Sequence, residues 1–233
     1  MSPADSRVAL VTGSASGIGA AIAARLSAGG WRVAGLDLRA SRTDLSLIVD
    51  VSDAAQVGHA VERAEAELGP IDGLVSGAGY YEMLPIDAMT PECWTRMLRV
   101  HLGGLLHTAR AVVPGMLARR TGAIVAISSE LAIGGGAQDA HYAAAKGASL
   151  GLMRSLAAEV APHGIRVNAV APGPTDTPLL DPDSPWRAPA YLATLPAGRL
   201  ARPEEVARVV AFALEECPYL CGEVLSINSG AVI

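Results

Sequence analysis

Charge and aromatic rings are both scarce in this 233-residue chain: Asp, Glu, Lys and Arg make up 18% of it and aromatic residues 4%. The net charge of −5 leaves no basic footprint for a phosphate backbone, and so few rings leave no platform for stacked bases. No run approaches the ~18 apolar residues of a membrane span, and the opening MSPADSR has no apolar segment of the signal-peptide kind. A cytoplasmic protein with neither a nucleic-acid nor a membrane partner is therefore expected. Three cysteines, Cys93, Cys217 and Cys221, are too few and too oddly numbered for a disulfide framework. The five histidines fall at no metal-ligand spacing beside them, so no metal site is expected.

What is present is apolar: 51% of residues, rich in Ala, Gly, Val and Leu, enough for one sizeable core. A single α/β domain over residues 1–233, doubly wound, is the expected architecture. Arg7 to Thr12 (RVALVT) is an apolar strand that runs into Gly13, Ser14, Ala15, Ser16, Gly17, Ile18 and Gly19, then into an Ala-rich helix ending at Gly29 and Gly30. Strand, glycine turn and helix in this order expose backbone N–H groups at a helix N-terminus, where a pyrophosphate is held by those donors and the helix dipole. The next strand, Arg32 to Leu38, ends on Asp37 and Leu38, 24 residues after Gly13 for the acid. A carboxylate there accepts from an adenosine ribose and repels a 2′-phosphate by about 3 kcal/mol at ~5 Å and an effective dielectric of ~20. NAD is favoured over NADP on this ground, with Arg39 and Arg42 close enough to soften the repulsion.

The central stretch is Ser128 to Lys146, SSELAIGGGAQDAHYAAAK. Tyr142 and Lys146, four apart in an Ala-rich run, share one face of a helix. An ammonium at about 4 Å and an effective dielectric of ~20 is worth roughly 4 kcal/mol, about three pKa units, enough to bring the phenol near neutrality as a general acid or base. Ser129 ends the buried strand Gly122 to Ser129 and is placed to polarise a substrate oxygen that Tyr142 protonates.

The thirteen steps from Asp37 to Asp50 leave no room for a crossover helix before the strand Leu45 to Val49, so that side of the sheet should be thinly covered. Asp50 and Val51 follow, where an adenine edge could be read. An amphipathic helix, Asp53 to Leu68, is capped by Ser52 or Asp53. Ile71 to Val75 is a fourth strand, and Ser76, Gly77, Ala78 and Gly79 after it permit close approach of backbone to a ligand. Pro91 to about Arg119 reads as one long helix with His101 near its middle. Asp139 to about Ala161 is another helix, Ile165 to Val170 a sixth strand, Pro203 to Glu215 a last helix and Glu223 to Asn228 a seventh strand. The proline-rich segment at about 174–197 has the length of a lid.

These features together resemble the short-chain dehydrogenase/reductase family over essentially the whole chain. The matching residues are Thr12-Gly13-x-x-x-Gly17-Ile18-Gly19, Asp37, Asp50-Val51, Ala78-Gly79, Ser129, Tyr142-x-x-x-Lys146, Asn168, Pro172-Gly173 and Thr177. The resemblance implies a Rossmann-like, predominantly parallel seven-stranded sheet with helices on both faces and NAD along its C-terminal edge. It implies Tyr142 as acid/base, Lys146 on the nicotinamide ribose and Ser129 on the substrate oxygen, with Pro172, Gly173, Thr175 and Thr177 framing the carboxamide. It also implies a homotetramer or homodimer paired through the helices Pro91 to Arg119 and Asp139 to Ala161. Three departures stand out: Ser76-Gly77 in place of two asparagines, which should affect rigidity; the short linker after Asp37; and His101 where an asparagine usually orients a water. An imidazole holds water too and titrates near neutrality, so a relay through His101 remains workable.

The expected function is hydride transfer between NAD(H) and a secondary alcohol or ketone, with a polyol, a 3-oxoacyl thioester or a cyclic or steroid alcohol as substrate. Tyr80, Tyr81, Glu130, His141 and the lid, with Leu179 on it, are expected around that substrate, and Glu130 and His141 suggest one with several hydroxyls. The rival reading is a dinucleotide-binding sensor or scaffold without turnover.

Overall fold

The computed structural model describes residues 6–232. Seven strands form one all-parallel sheet in the order β3-β2-β1-β4-β5-β6-β7. They are β1 Val8–Thr12, β2 Arg32–Asp37, β3 Leu45–Ile48, β4 Ile71–Ser76, β5 Gly122–Ile127, β6 Ile165–Pro172 and β7 Val224–Ile227. The strands read as unbroken apolar runs because both faces are covered. In β1, Val8 and Leu10 point into one core and Ala9 and Val11 into the other.

The second of those cores is closed by helices α1 (Gly17–Ala28) and α8 (Pro203–Glu215), through Ile22, Leu26, Val206 and Val210. On the opposite face lie α2 (Ala54–Leu68), α4 (Gly104–Arg119) and α6 (Ala140–Val160), through Val57, Val61, Leu105, Val112, Leu150 and Met153. Asp53 is the cap of α2: its carboxylate accepts from the backbone N–H groups of Ala55 and Gln56.

The long helix expected from Pro91 is α3 (Pro91–Leu98) running into α4 through five residues wound as a π-helix, Arg99–Gly103. That wider turn carries His101, and such π segments gather at functional sites. The short α5 (Leu131–Gly134) and α7 (Pro189–Leu192) went unforeseen in the sequence. The linker from 38 to 44 has no helix, as its length dictates, and hydroxyls brace it. Ser41 N–H donates to Ser46 Oγ at 2.9 Å, and Thr43 Oγ1 donates to the Leu45 carbonyl at 3.0 Å. Among the described residues no helix is long and apolar enough to cross a membrane.

Candidate active site

All seven strands point their C-terminal ends toward one edge, where connections splay apart and leave a cleft. A single cavity of about 540 Å³ runs along it, from the glycine turn to the lid. At one end are Gly13, Ser16, Gly17, Ile18, Gly19, Asp37, Leu38 and Arg39. A Cβ at Gly19 would collide with the Gly13 carbonyl, so only glycine lets α1 start this close to β1. Ser16, the residue before α1, makes no side-chain cap, and no acidic residue lies in the first turn. Among the described residues no side-chain carboxylate accepts from the first N–H groups of α1 itself, as a pyrophosphate site requires.

Asp37 is pinned beside them. Its Oδ2 accepts from Ala15 N–H and its Oδ1 from Arg39 N–H, both at 3.0 Å, while the Arg39 guanidinium donates to Ser16 Oγ at 3.1 Å. Next along the wall stand Gly77 and Gly79. Thr12 Oγ1 accepts from both Gly77 and Ala78 N–H at 3.0 Å, tying β1 to the end of β4 where the two asparagine side chains are missing.

In the middle, Ser129, Tyr142 and Lys146 come together as expected, all buried. The β5–β6 pairing extends past β5, with Ser128 N–H on the Val170 carbonyl and Glu130 N–H on that of Pro172, which fixes Ser129 at the cleft floor. Tyr142 and Ser129 line the same part of the cavity, and Ser129 Oγ accepts from Leu131 N–H at 3.2 Å. One expectation fails here. Lys146 Nζ donates to the Ile127 carbonyl at 2.7 Å and stands 5.7 Å from the Tyr142 ring centre. Its charge is spent on a backbone oxygen, and burial dominates both groups: the phenol is pushed up to about 12 and the ammonium down to about 8.

His101 also lines the cavity, its ring edge-on to Tyr142 at 5.4 Å. Its Nε2 lies 2.9 Å from the Tyr80 carbonyl and Nδ1 is buried without a partner. A Cβ at Gly79 would overlap this ring, so the glycine makes the space for the imidazole. The expectation that it titrates near neutrality is corrected: burial, reinforced by Lys146, holds it well below the ordinary histidine range, so it is neutral.

At the far end, Pro172, Gly173, Thr175, Thr177, Leu179, Leu180, Trp186 and Tyr191 complete the wall with Tyr81, Glu130 and Leu131. Thr177 packs against Gly17, joining lid base to glycine turn. The Glu130 carboxyl is pushed up to about 7 by burial, and its Oε2 has no partner.

Several expected residues lie outside the cavity wall. Tyr80 turns away, its hydroxyl accepting from Arg96 Nε at 3.1 Å, and so is not at the substrate end. His141 is fully buried inside the N-terminal turns of α6, with neither ring nitrogen paired. Asp50 accepts from Ser52 N–H, Val51 packs against Gly104 and Ala78 against the core. Asn168 is a structural tie, donating to the Leu220 carbonyl and accepting from Glu223 N–H. Sequence reasoning missed a chain of hydrogen bonds at the lid. Trp186 Nε1 donates to the Tyr81 hydroxyl, which donates to buried Asp139 Oδ1, both at 2.8 Å. The only hint was a Trp and a Tyr in an otherwise proline-rich loop.

Comparison with known proteins agrees with this geometry. A family model described as enoyl-(acyl carrier protein) reductase matches residues 13–232. The chain is 36% identical over 237 residues to the 3-oxoacyl-[acyl-carrier-protein] reductase FabG of Escherichia coli, covering 97% of each. It is 38% identical over 237 residues to an acetoacetyl-CoA reductase of Shinella zoogloeoides, covering 97% of this chain and 98% of the relative. The cis-4-hydroxycyclohexanecarboxylate dehydrogenase of Sinomonas cyclohexanicum is 38% identical over 238 residues, 96% of each.

Proposed function

The chain belongs to the short-chain dehydrogenase/reductase family, and from that premise we propose that it interconverts a secondary alcohol and a ketone with NAD(H), Tyr142 moving the proton. The observation that carries the reading is one continuous cavity with two ends: a helix N-terminus beside Asp37, and Ser129, Tyr142 and Lys146 buried together in its wall.

A bound nicotinamide dinucleotide supplies or takes up the hydride. The α1 N-terminus would hold its pyrophosphate, Asp37 and Leu38 its adenosine ribose, and Gly77, Gly79, Pro172, Gly173, Thr175 and Thr177 the nicotinamide half. In the reducing direction Ser129 orients the ketone oxygen and Tyr142 Oη donates its proton to that oxygen as negative charge develops. Lys146 stabilises the tyrosinate left behind once its Nζ leaves the Ile127 carbonyl for the substrate side. His101, neutral, wedges the Tyr142 ring in place and offers Nδ1 to a water.

The same reading includes self-association through α3, α4 and α6. Leu106, 47% exposed on α4, and Gly151 on α6, with open space where a Cβ would stand, support it.

The test is Tyr142→Phe. Cofactor absorbance at saturating NAD(H) should show turnover of any ketone or alcohol the wild type accepts falling by about 10²–10⁴-fold, with cofactor binding kept. Turnover within threefold of wild type refutes the role of Tyr142, and NADH binding with no turnover across a broad panel moves the reading to a sensor.

A further inference from the structure

Glu130 is the group in the cavity that the proposed reaction does not use. It follows Ser129, which the proposed reaction places on the reacting oxygen, and it lines the cavity wall. The residue is 6% exposed, and Oε2 is buried against Gly173 with no hydrogen-bond partner. Tyr142 and Tyr191 line the same cavity with it.

A buried carboxyl without a partner is costly, and a protein keeps one where a ligand supplies the missing donor. No side chain among the described residues does so. The cavity wall has two cations: Arg39 lies at the Asp37 end and Lys146 is committed to the Ile127 carbonyl. Arg187, on the lid, is taken up by Asp176 and the Thr177 carbonyl. The substrate end thus offers one carboxyl acceptor and the rings of Tyr81, Trp186 and Tyr191, with no cation for a substrate carboxylate or phosphate.

Resting on the oxidoreductase reading of this site, we infer that Glu130 selects substrates with a hydroxyl on the carbon next to the one that reacts, as in a vicinal diol or its α-hydroxyketone. With the reacting oxygen on Ser129 and Tyr142, the neighbouring hydroxyl meets the Glu130 carboxyl and donates to it. The aromatic rings cover the C–H faces, and an anionic substituent is repelled.

The experiment compares 2-hydroxycyclohexanone, cyclohexanone and 4-oxocyclohexanecarboxylate as substrates, and separately follows binding of trans-cyclohexane-1,2-diol and cyclohexanol to the cofactor-free protein by Trp fluorescence, which Trp186 reports from the wall. The wild type should prefer the hydroxyketone by tenfold or more in kcat/KM over cyclohexanone, with the carboxylate slowest. The diol should bind tighter than cyclohexanol. Glu130→Leu should remove both preferences, and Glu130→Gln, which keeps an acceptor oxygen, should keep part of them; thermal unfolding checks that each variant is folded. Equal use of the two neutral ketones, a preference for the carboxylate, or a preference that survives in Glu130→Leu overturns the inference and leaves the oxidoreductase reading standing. A diol preference in binding without turnover of any ketone does the reverse. Neither binding nor turnover overturns both.

Discussion

In the role proposed for it, Tyr142 meets two opposing requirements: burial must exclude water from the reacting oxygen, yet burial makes the phenol a weaker acid. In the protein described here burial wins, and the phenol rises to about 12 instead of falling toward neutrality. The four-residue spacing from Lys146 was legible in the sequence; the Ile127 carbonyl that captures the ammonium was not, because it comes from a strand fifteen residues before Tyr142. The consequence is directional. At neutral pH the phenol is protonated, ready to donate in ketone reduction, whereas alcohol oxidation needs the tyrosinate, whose fraction grows about tenfold per pH unit below the pKa. Log kcat/KM for oxidation should therefore rise with a slope near +1 from pH 6 to 8 while reduction stays flat from pH 6 to 7.5, measured by cofactor absorbance. In the same assay His101→Asn should leave both slopes in place, since the imidazole is already neutral across that range. A break between pH 6 and 7 that disappears in His101→Asn would show that the histidine titrates there. His101 itself was visible as a departure from the family pattern. Its burial was not, because Gly79, which makes the room for it, lies twenty-two residues away.

Strands, glycine turn and long helices could be read from apolar runs and breakers, because each depends on neighbours in the chain. The lid could be read only as a loop. Its position rests on three residues far apart in sequence: Trp186 on it, Tyr81 after β4, and Asp139 at the start of α6. Asp139 makes no side-chain cap on its own helix: its Oδ1 accepts from Tyr81 and its Oδ2 is buried without a partner. Because α6 carries Tyr142 and Lys146, these bonds tie the proline-rich segment to the helix that holds the proposed reacting groups. Tyr81→Phe removes the shared hydroxyl, leaving Asp139 Oδ1 without its donor and Trp186 Nε1 without its acceptor. Lost hydrogen bonding of buried groups costs about 1–3 kcal/mol, which for a chain of this size is a fall in Tm of roughly 3–10 °C. Trypsin should then cut after Arg187 several-fold faster than in wild type, while the rest of the chain resists. Unchanged protection of Arg187 would mean that its own bonds to Asp176, Thr177 and Leu180 hold the lid without those through Tyr81.

The whole molecule is asymmetric about its sheet. Helices cover β1, β4, β5 and β6 on both faces, but β3 is a four-residue edge strand reached by a linker with no helix, and Leu38 and Ile48 stand largely exposed there. The Asp37 end of the cavity, where the proposed function places the adenosine, is built on that thin side, so selectivity there would rest on a few fixed charges and not on a packed wall. In the proposed NAD(H) reading Asp37 is the decisive one: two backbone N–H groups hold its carboxylate between the glycine turn and the end of β2, where a 2′-phosphate would have to come close. Like charges at about 5 Å and an effective dielectric of ~20 cost about 3 kcal/mol, close to a hundredfold in affinity. Arg39 opposes this, but its guanidinium already donates to Ser16 Oγ. Because a ligand that binds only the folded chain stabilises it by mass action, about 2.7 kcal/mol at a hundred times its Kd, the preference can be read from unfolding alone. NADH should raise Tm by roughly 5–10 °C at that saturation. NADPH should need about a hundredfold higher concentration for the same shift. Asp37→Ser should bring the two curves together, and Arg39→Ala should separate them further. Coincident curves in the wild type would mean that Arg39 leaves Ser16 to meet the phosphate and outweighs the carboxylate beside it, and the protein would then accept either cofactor.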